Sequence, residues 1–339
     1  MRTPTGSLSA RIDLRATGIV LVLLLLALAI ALYSLASGDF PVPLADVVRT
    51  LLGEQTGGAR FIIMDLRLPR TLTALLVGAA LGVSGGIFQN LTRNPLGSPD
   101  FIGLTTGAST GALIVILVMH GSTNQIAVGA LIGCTATSAA IYVLAYRKGS
   151  QAFRLILVGI GLAAMLDAFN SFLITRARLD EAVGAQVWMI GTLNGRSWDQ
   201  VRPLALAVLI LLPVAFGQGR HLNLLSLGDE AATALGVPVE RTRGILFTCA
   251  VALAAIATSA AGPISFVALA APQLALRITR TAGAGLPGAA AMGALLMVAS
   301  DWVAQRALST GPVPVGIATG LLGGAYLCWL LVHEWRKGR

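Results

Sequence analysis

Charged residues are scarce in this sequence: Asp, Glu, Lys and Arg make up only 12% of its 339 residues, whereas 55% are hydrophobic. A typical soluble domain carries about 25% charged residues. This chain therefore has too little polar surface to coat water-soluble domains of the same total length. A soluble globular protein is excluded, and lipid is the expected solvent for most of the chain.

Lysine and cysteine are scarce as well, and each shortage excludes a class of function. The only lysines, Lys148 and Lys337, lie outside any GxxxxGKS or GxxxxGKT pattern, so the chain is not expected to bind nucleotides through a P-loop. Its basic residues form no dense run, and no nucleic-acid partner is expected. Cys134, Cys249 and Cys328 are isolated, which indicates neither a disulfide framework nor a metal site. The sequence shows no catalytic constellation, so the chain is not expected to be an enzyme or to bind a cofactor.

Long charge-free runs are present instead, and they predict membrane-spanning helices. A helix needs about 20 apolar residues to cross the hydrocarbon core of a bilayer. On that basis the sequence predicts an all-α polytopic membrane protein of about ten helices, with the first run retained because it is too long for a signal peptide. Single spans are expected at 16–38, 71–92, 155–175, 203–219, 281–300 and 314–332, with two more within 101–146 and two within 244–276.

An even number of spans places both termini on one side, and the basic residues predict which side. With the N-terminus inside, fifteen Lys and Arg residues fall in inner segments and nine in outer segments. The positive-inside rule then predicts a single transmembrane domain over 1–339 whose segments 1–15, 219–243 and 334–339 are cytoplasmic. The outer loops 39–66 and 176–200 are expected to form folded polar surface.

Glycine is abundant, at 39 residues, and part of it is regularly spaced. Small residues allow helices in lipid to approach closely, and this contact drives their association. Three GxxxGxxxG stripes therefore predict helix packing, most simply within the chain. They consist of Gly78, Gly82 and Gly86, of Gly103, Gly107 and Gly111, and of Gly316, Gly320 and Gly324.

Two carboxylates fall inside predicted spans. Asp167 lies near the middle of its span, where a charge costs about 2.5–3.5 kcal/mol unless it faces protein or water. With Asn170 and Ser171 it is expected to form one polar face. This face suits either the ion relay of a secondary transporter or a patch that a neighbouring helix satisfies, and the absence of a basic partner favours the patch. Asp301 lies near the outer end of its helix and is expected to reach the interface.

Two polar segments carry further information. In the segment 219–243, Ser226 is suited to cap a helix that Gly236 and Pro238 end. The resulting helix of about two turns is too short to span a bilayer. The segment is therefore either a connector on the inner surface or a docking element for a cytoplasmic partner. At the outer end of the second span, Arg67 and Arg70 lie three residues apart.

Several motifs resemble one family, in order along the chain. RLPRTL and GAALGVSGGIFQ, within 67–89, are followed by NPLGSPD at 94–100, FRLILVGIG at 153–161, LGDEAATALGV at 227–237, AGPISFVALAAP at 261–272 and PVGIATGLLGG at 314–324. Together they resemble the permease subunits of bacterial ABC importers for iron–siderophore complexes, haem and vitamin B12. RNPLGSPDFIG and WMIGTLNGRSW, at 93–103 and 188–198, are most similar to the ferric-enterobactin permease branch.

The resemblance implies a type II, BtuC-like permease fold in the bacterial inner membrane. It also implies partners: a second permease, a paralogue rather than an identical copy; two cytoplasmic ATPases that supply the energy; and an extracytoplasmic siderophore-binding protein. The expected function is half of a translocation pathway for ferric siderophores, and the alternative is an ion-coupled secondary transporter that uses Asp167.

The resemblance also assigns residues. The family's ATPase-docking loop corresponds to 219–243, which makes Leu227, Gly228, Glu230, Ala234, Leu235 and Gly236 the coupling candidates. Family arginines that receive acidic residues of the binding protein correspond to Arg67 and Arg70. A third family arginine aligns with Gln305, so that Arg306 beside it becomes the third docking candidate. The chain also departs from the family pattern at Gln273, where many relatives have histidine, and at Asp167.

Overall fold

The computed structural model describes residues 13–38, 40–54, 57–100, 103–145, 152–281, 283, 285–306 and 313–337. Every regular element in these ranges is helical, which confirms the all-α class. Most of the predicted cytoplasmic N-terminus, and the last two residues of the predicted C-terminal segment, lie outside the described ranges.

Fifteen α-helices are seen in the described ranges. They are α1 Leu14–Ala36, α2 Leu44–Leu51, α3 Gly58–Phe61, α4 Leu68–Thr92, α5 Leu104–Leu113, α6 Thr123–Ala145, α7 Ala152–Arg176, α8 Leu179–Ile190, α9 Trp198–Gly217, α10 Gly219–Leu225, α11 Asp229–Ala234, α12 Val239–Ala261, α13 Val267–Thr279, α14 Leu286–Ala304 and α15 Val315–Lys337. A π-helical turn at Ile62–Arg67 joins α3 to α4, and another at Ile114–Val118 continues α5.

The predicted spans are confirmed in number. Among the described residues, seven helical stretches are long and apolar enough to cross a membrane: α1, the continuous α3–α4, α6, α7, α9, α12 and α14. Three shorter apolar helices, at Leu104–Val118, Val267–Thr279 and Val315–Trp329, complete the predicted ten. Boundaries are less well predicted. Helix α14, for example, begins at Leu286 rather than at 281, since Pro287 occupies its first turn, where a missing N–H is tolerated.

The predicted break between two spans is confirmed at Gly262 and Pro263. Helix α12 ends at Ala261, and Gly262 follows with φ of +78°, a left-handed value that favours glycine. The loops 39–66 and 176–200, which were expected to be folded, contain α2, α3 and α8. In the first of them, Val47 of α2 is buried against Leu35 and Ile63.

Helix α4 lies at the centre of the bundle and α7 at its margin. In their most apolar 18-residue stretches, 78% of the α3–α4 residues but only 11% of the α7 residues are buried. Helix α4 packs against α9, α12, α13 and α14. It therefore connects most of the core, whereas α7 leaves most of its surface uncovered by this chain.

The first two glycine stripes pack inside the chain. A Cβ atom at Gly78 or Gly82 would overlap the carbonyl oxygens of Gly293 and Ala289, so α4 and α14 approach backbone to backbone. On α5, Gly111 lies equally close to the carbonyl of Gly129 on α6. The remaining members make other contacts. Gly86 lies beside the Leu286 side chain and Gly107 beside Thr137. Gly103, at the start of α5, lies beside Ala163 of α7.

The third stripe behaves differently. Gly316 lies against the carbonyl of Ile190, at the end of α8, whereas a Cβ atom at Gly320 or Gly324 would meet nothing within 4 Å. Close packing at these two positions therefore stays a prediction, since no described residue lies against them at that distance.

The bundle has two ends of different chemistry. At one, named here the arginine end, Arg67 of the π turn before α4 reaches the end of α1 at Leu35, and Arg70 reaches the end of α14 at Asp301. At the other, named the loop end, the segment 219–243 packs against α4 through α10. Helix α1 begins and α15 ends at the loop end, so the two terminal helices share a side.

Candidate functional site

The segment 219–243 forms two short helices at the loop end instead of the single helix expected. Ser226 does not cap the second helix, contrary to the prediction: α10 extends to Leu225, and the Ser226 hydroxyl donates to the carbonyl of Asn223 at 2.7 Å. The backbone of Ser226 is still helical, whereas an N-cap residue is extended. Gly228, with φ of +113°, takes the N-cap position of α11. The predicted stop is confirmed at Gly236, with φ of +82°.

This segment has one anchored face and one exposed face. Leu222, Leu225 and Ala232 are buried against the bundle. Leu227 and Leu235 point away from it and are 65% and 60% exposed. Of the other coupling candidates, Glu230, Ala234 and Gly236 are exposed and Gly228 is half-buried. The six candidates thus lie together on a partly apolar projection whose other face is anchored to the bundle.

A charge network that sequence reasoning missed lies beside these residues. The Asp229 carboxylate accepts hydrogen bonds from Arg93 at 2.7 Å and from Arg243 at 2.8 Å. Arg93 also donates to the carbonyl of Leu225, and Arg243 to Glu240. Arg93 and Arg243 lie 136 and 14 residues from Asp229 in the sequence, so no local sequence pattern predicts the cluster.

The network keeps Asp229 charged. The hydrogen bond from Arg243 holds the pKa of Asp229 below its ordinary value, with the charges of both arginines acting in the same direction and partial burial opposing them. A carboxylate with a lowered pKa stabilises the fold above its ordinary pKa, and that stabilisation is lost only as the pH falls through the lowered value. The network is therefore intact at neutral pH.

At the arginine end, Arg67 is engaged within the chain. Its two terminal nitrogens donate to the carbonyls of Leu35 and Phe40, each at 2.7 Å. These bonds fix the chain where it leaves α1. Arg67 therefore lies on the surface of the arginine end and also fixes its shape.

Arg70 forms an ion pair with Asp301 that the sequence did not predict. Its Nη2 lies 2.7 Å from Asp301 Oδ1, its Nε also faces the carboxylate, and Gln305 donates to Oδ2 at 2.8 Å. Asp301 is 1% exposed, so the expectation that it reaches the interface is wrong. It is turned towards α4 instead. Arg70 itself keeps 18% of its side chain exposed.

Arg306 is the exposed member of the three docking candidates. Its guanidinium lies over the ring of Trp302, 5.0 Å from the centroid. In the part of the chain that the structure describes, no carboxylate pairs with it. The arginine end therefore brings the three candidates to neighbouring elements, with Arg306 the most accessible.

The polar face expected on α7 is divided in two. Asp167 and Ser171 are exposed, and the Ser171 hydroxyl donates to the Asp167 carbonyl at 2.9 Å. Asn170 is 2% exposed and faces the bundle, where neither of its amide atoms has a partner among the described residues. The single-face expectation is therefore wrong for Asn170, and none of the described helices covers Asp167. Elsewhere in the described ranges, no group of three or more His, Cys, Asp or Glu residues is arranged to hold a metal ion.

Comparisons with known proteins agree over almost the whole chain. The model of the FecCD transport family matches residues 23–333. The chain is 45% identical over 317 residues to the ferric enterobactin transport system permease protein FepG of Escherichia coli (strain K12), covering 94% of this chain and 96% of that protein. It is 35% identical to the "Probable siderophore transport system permease protein YfhA" of Bacillus subtilis (strain 168), covering 92% and 94%. Among solved structures, a metal-chelate type ABC transporter in an inward-facing conformation superimposes with a TM-score of 0.83 at 29% identity, covering 94% and 99%.

Proposed function

The chain belongs to the FecCD transport family and is the membrane permease of an ABC-type importer; we propose that it forms half of a translocation pathway for ferric siderophores. The relatives named for ferric enterobactin and for siderophore transport support this choice of cargo. A permease of this family is not itself an enzyme. We propose that it has no nucleotide site of its own, in line with the missing P-loop.

ABC permeases work with ATPase and binding-protein partners. For this chain we propose two cytoplasmic ATPases, an extracytoplasmic siderophore-binding protein and a second permease, a paralogue rather than an identical copy. The surrounding lipid bilayer is the other partner, and nucleic acid is not one. The chain would act as one permease domain over 1–339, in which movements of the ATPases open the pathway.

The proposed orientation places the loop end in the cytoplasm of a bacterial cell and the arginine end outside the inner membrane. The excess of basic residues in the inner segments supports it. So does the position of 219–243, since an ATPase can reach this segment only from the cytoplasm. Both termini would then be cytoplasmic, including 1–15 and 334–339, in agreement with the shared side of α1 and α15.

The observation that carries the proposal is the exposed leucine pair of the segment 219–243. Covering a leucine side chain is worth about 1.5–3 kcal/mol, and apolar groups exposed together on a surface mark a contact site. Leu227 and Leu235 are such a pair, on a projection whose other face is anchored. We propose that an ATPase covers the surface formed by this leucine pair and by Gly228, Glu230, Ala234 and Gly236.

The arginine end suits an acidic partner. Arg306 presents an exposed guanidinium there, which contacts the ring and the carbonyl of Trp302, and Arg70 presents the edge that its pair with Asp301 leaves exposed. We propose that both meet carboxylates of the binding protein. Arg67, which holds the chain after α1 in place, would orient the same surface.

Asp167 supports a water-filled pathway beside α7. A carboxylate that faced lipid at this depth would cost about 2.5–3.5 kcal/mol, so we propose that this side of α7 faces the pathway between the two permeases. The ion-coupled alternative gives Asp167 a larger role. Membership of an ABC permease family argues against that alternative.

The test of the proposed function replaces the leucine pair. The variant Leu227→Asp/Leu235→Asp is expressed with its ATPase, and the ATPase recovered with the purified permease is measured. A matched control, Leu52→Asp, changes a leucine that is 71% exposed at the arginine end. We expect the double variant to lose the ATPase and the control to keep it. Equal recovery of the ATPase with the wild type, the double variant and the control would contradict the proposed coupling surface.

A further inference from the structure

Asp229 lies where three parts of the chain meet. One of its carboxylate oxygens is bound by Arg93, directly after α4, and the other by Arg243, in α12. Asp229 itself is the first residue of α11. A single side chain thus joins α11 to two of the most deeply buried helices of the bundle.

Arg93 is placed for this contact by the end of α4. Its backbone adopts φ of +49°, a left-handed conformation that ends the helix and turns the side chain towards α10 and α11. The same Nη2 atom binds the carbonyl of Leu225 at 3.0 Å and the carboxylate of Asp229. Arg93 therefore holds the end of α10 and the start of α11 together.

Arg243 is held in place by a second contact besides the one with Asp229. It is 16% exposed, and Glu240, one turn earlier on α12, fixes its other terminal nitrogen at 2.9 Å. A guanidinium bound in a fixed orientation makes directional hydrogen bonds. The contact of Asp229 with α12 is therefore defined in direction as well as in distance.

The flanks of α11 give it freedom to move. Gly228 and Gly236 both have positive φ, and a Cβ atom at either would meet nothing within 4 Å. The apolar contacts of Ala232 hold the helix against the bundle but resist sliding little, because apolar packing is not directional. The paired carboxylate is the contact that ties the position of α11 to α4 and α12.

We propose that Asp229 is a positioning residue, which through Arg93 and Arg243 transmits movement of the part of the segment 219–243 that precedes α12 to α4 and α12. The inference rests on the proposed function, since an ATPase must move that segment. Helices α4 and α12 both reach the arginine end, so the same contacts connect the ATPase side of the protein to the outer side.

The experiment uses Asp229→Asn in the complete transporter, reconstituted in liposomes with its ATPase and binding protein. Two quantities are measured: the ATPase bound per permease, and the ATP hydrolysed per ferric siderophore imported. Losing these two ion pairs should raise the ATP cost of import roughly twofold to thirtyfold, while ATPase binding stays at the wild-type level.

Three further variants make the test specific. Asp229→Glu keeps the charge and should restore most of the coupling. Arg93→Gln removes the contacts of Arg93 with Asp229 and Leu225 but leaves Arg243 in place, and it should raise the ratio in the same direction. Asp180→Asn, which breaks an exposed pair with Arg178 outside this network, should leave the ratio unchanged.

The outcomes separate the two proposals. A wild-type ratio in both Asp229→Asn and Arg93→Gln, with the ATPase still bound, would overturn the inference and leave the proposed function standing. Loss of ATPase binding in Asp229→Asn would also overturn it, because Asp229 would then act in docking. A wild-type permease that binds no ATPase would instead contradict the proposed function.

Discussion

Individual charged residues in this protein hold helices together where lipid surrounds the bundle. Arg70 and Asp301 belong to helices far apart in sequence, and they meet in a bidentate pair on the two helices α4 and α14, whose backbones approach closely. Burying such a pair brings little net stability, but leaving one partner alone is costly because its charge is then uncompensated. The pair therefore specifies how α4 and α14 are aligned.

Asp301→Asn should destabilise the protein. Breaking a buried pair costs about 3–5 kcal/mol, and the exposed edge of Arg70 lowers the expected loss to about 2 kcal/mol, because water can reach that edge. The free energy of unfolding in detergent measures the loss. Asp180→Asn is the control, since its pair with Arg178 is exposed and should contribute less than about 1 kcal/mol. Equal effects of the two substitutions would show that the buried pair has no special role.

Sequence reasoning predicted how far along its helix such a residue lies, but not the direction about the helix axis in which its side chain points. The depth of Asp301 follows from its distance to the helix end. Its direction, towards α4 rather than towards the interface, depends on Arg70, which lies 231 residues away. The same limit hid the partners of Asp229 and placed Asn170 on the wrong side of α7.

At the scale of elements, glycine spacing indicated close helix contacts but not the partners. The stripe on α4 meets α14, and most of the stripe on α5 meets α6. The stripe on α15 has an identical period, yet at two of its three members an added Cβ atom would meet no described residue within 4 Å. A periodic pattern defines a face, and only the assembled fold determines what covers it.

Gly82→Ala should weaken the contact between α4 and α14. The added methyl group overlaps the carbonyl of Ala289, and overpacking of this kind costs about 1–3 kcal/mol. The matched control is Gly18→Ala in α1, where a methyl group meets nothing within 4 Å. Thermal unfolding in detergent should show a clear loss for the first variant and none for the second. A stable Gly82→Ala protein would contradict the packing of these helices.

The long helices were predictable because each must cross a bilayer, and length and hydropathy therefore define it. The break at Gly262 followed from glycine and proline chemistry alone. The segment 219–243 was predicted less well: its stop at Gly236 is local chemistry, but the extension of α10 to Leu225 depends on burial of that residue against the bundle. Short surface helices lack the length constraint that makes a membrane span recognisable.

For the whole molecule, the main feature is that its two ends differ in chemistry, in line with the different partners proposed for them. The loop end presents exposed leucines and a charge network, and the arginine end presents guanidinium groups. Helices α4, α12 and α14 run from one end to the other, and α4 packs against both of the others. We expect movement at one end to reach the other through these three helices.

Arg306→Glu should weaken capture of the binding protein. Reversing an exposed charge changes attraction into repulsion, and the effect falls as salt screens it over a Debye length of about 10 Å at 0.1 M. Association measured at low and high salt should show a large difference between variant and wild type only at low salt. Arg178→Glu, on the same side but away from α14, is the control. Unchanged association at low salt would leave Arg306 without a docking role.

The most direct measurement of the whole account is uptake of a ferric siderophore into liposomes that contain the permeases, the binding protein and an ATPase variant unable to hydrolyse ATP. The account predicts that uptake falls to background, whether or not an ion gradient is imposed. Uptake that persists with the inactive ATPase, and depends on the ion gradient, would contradict it.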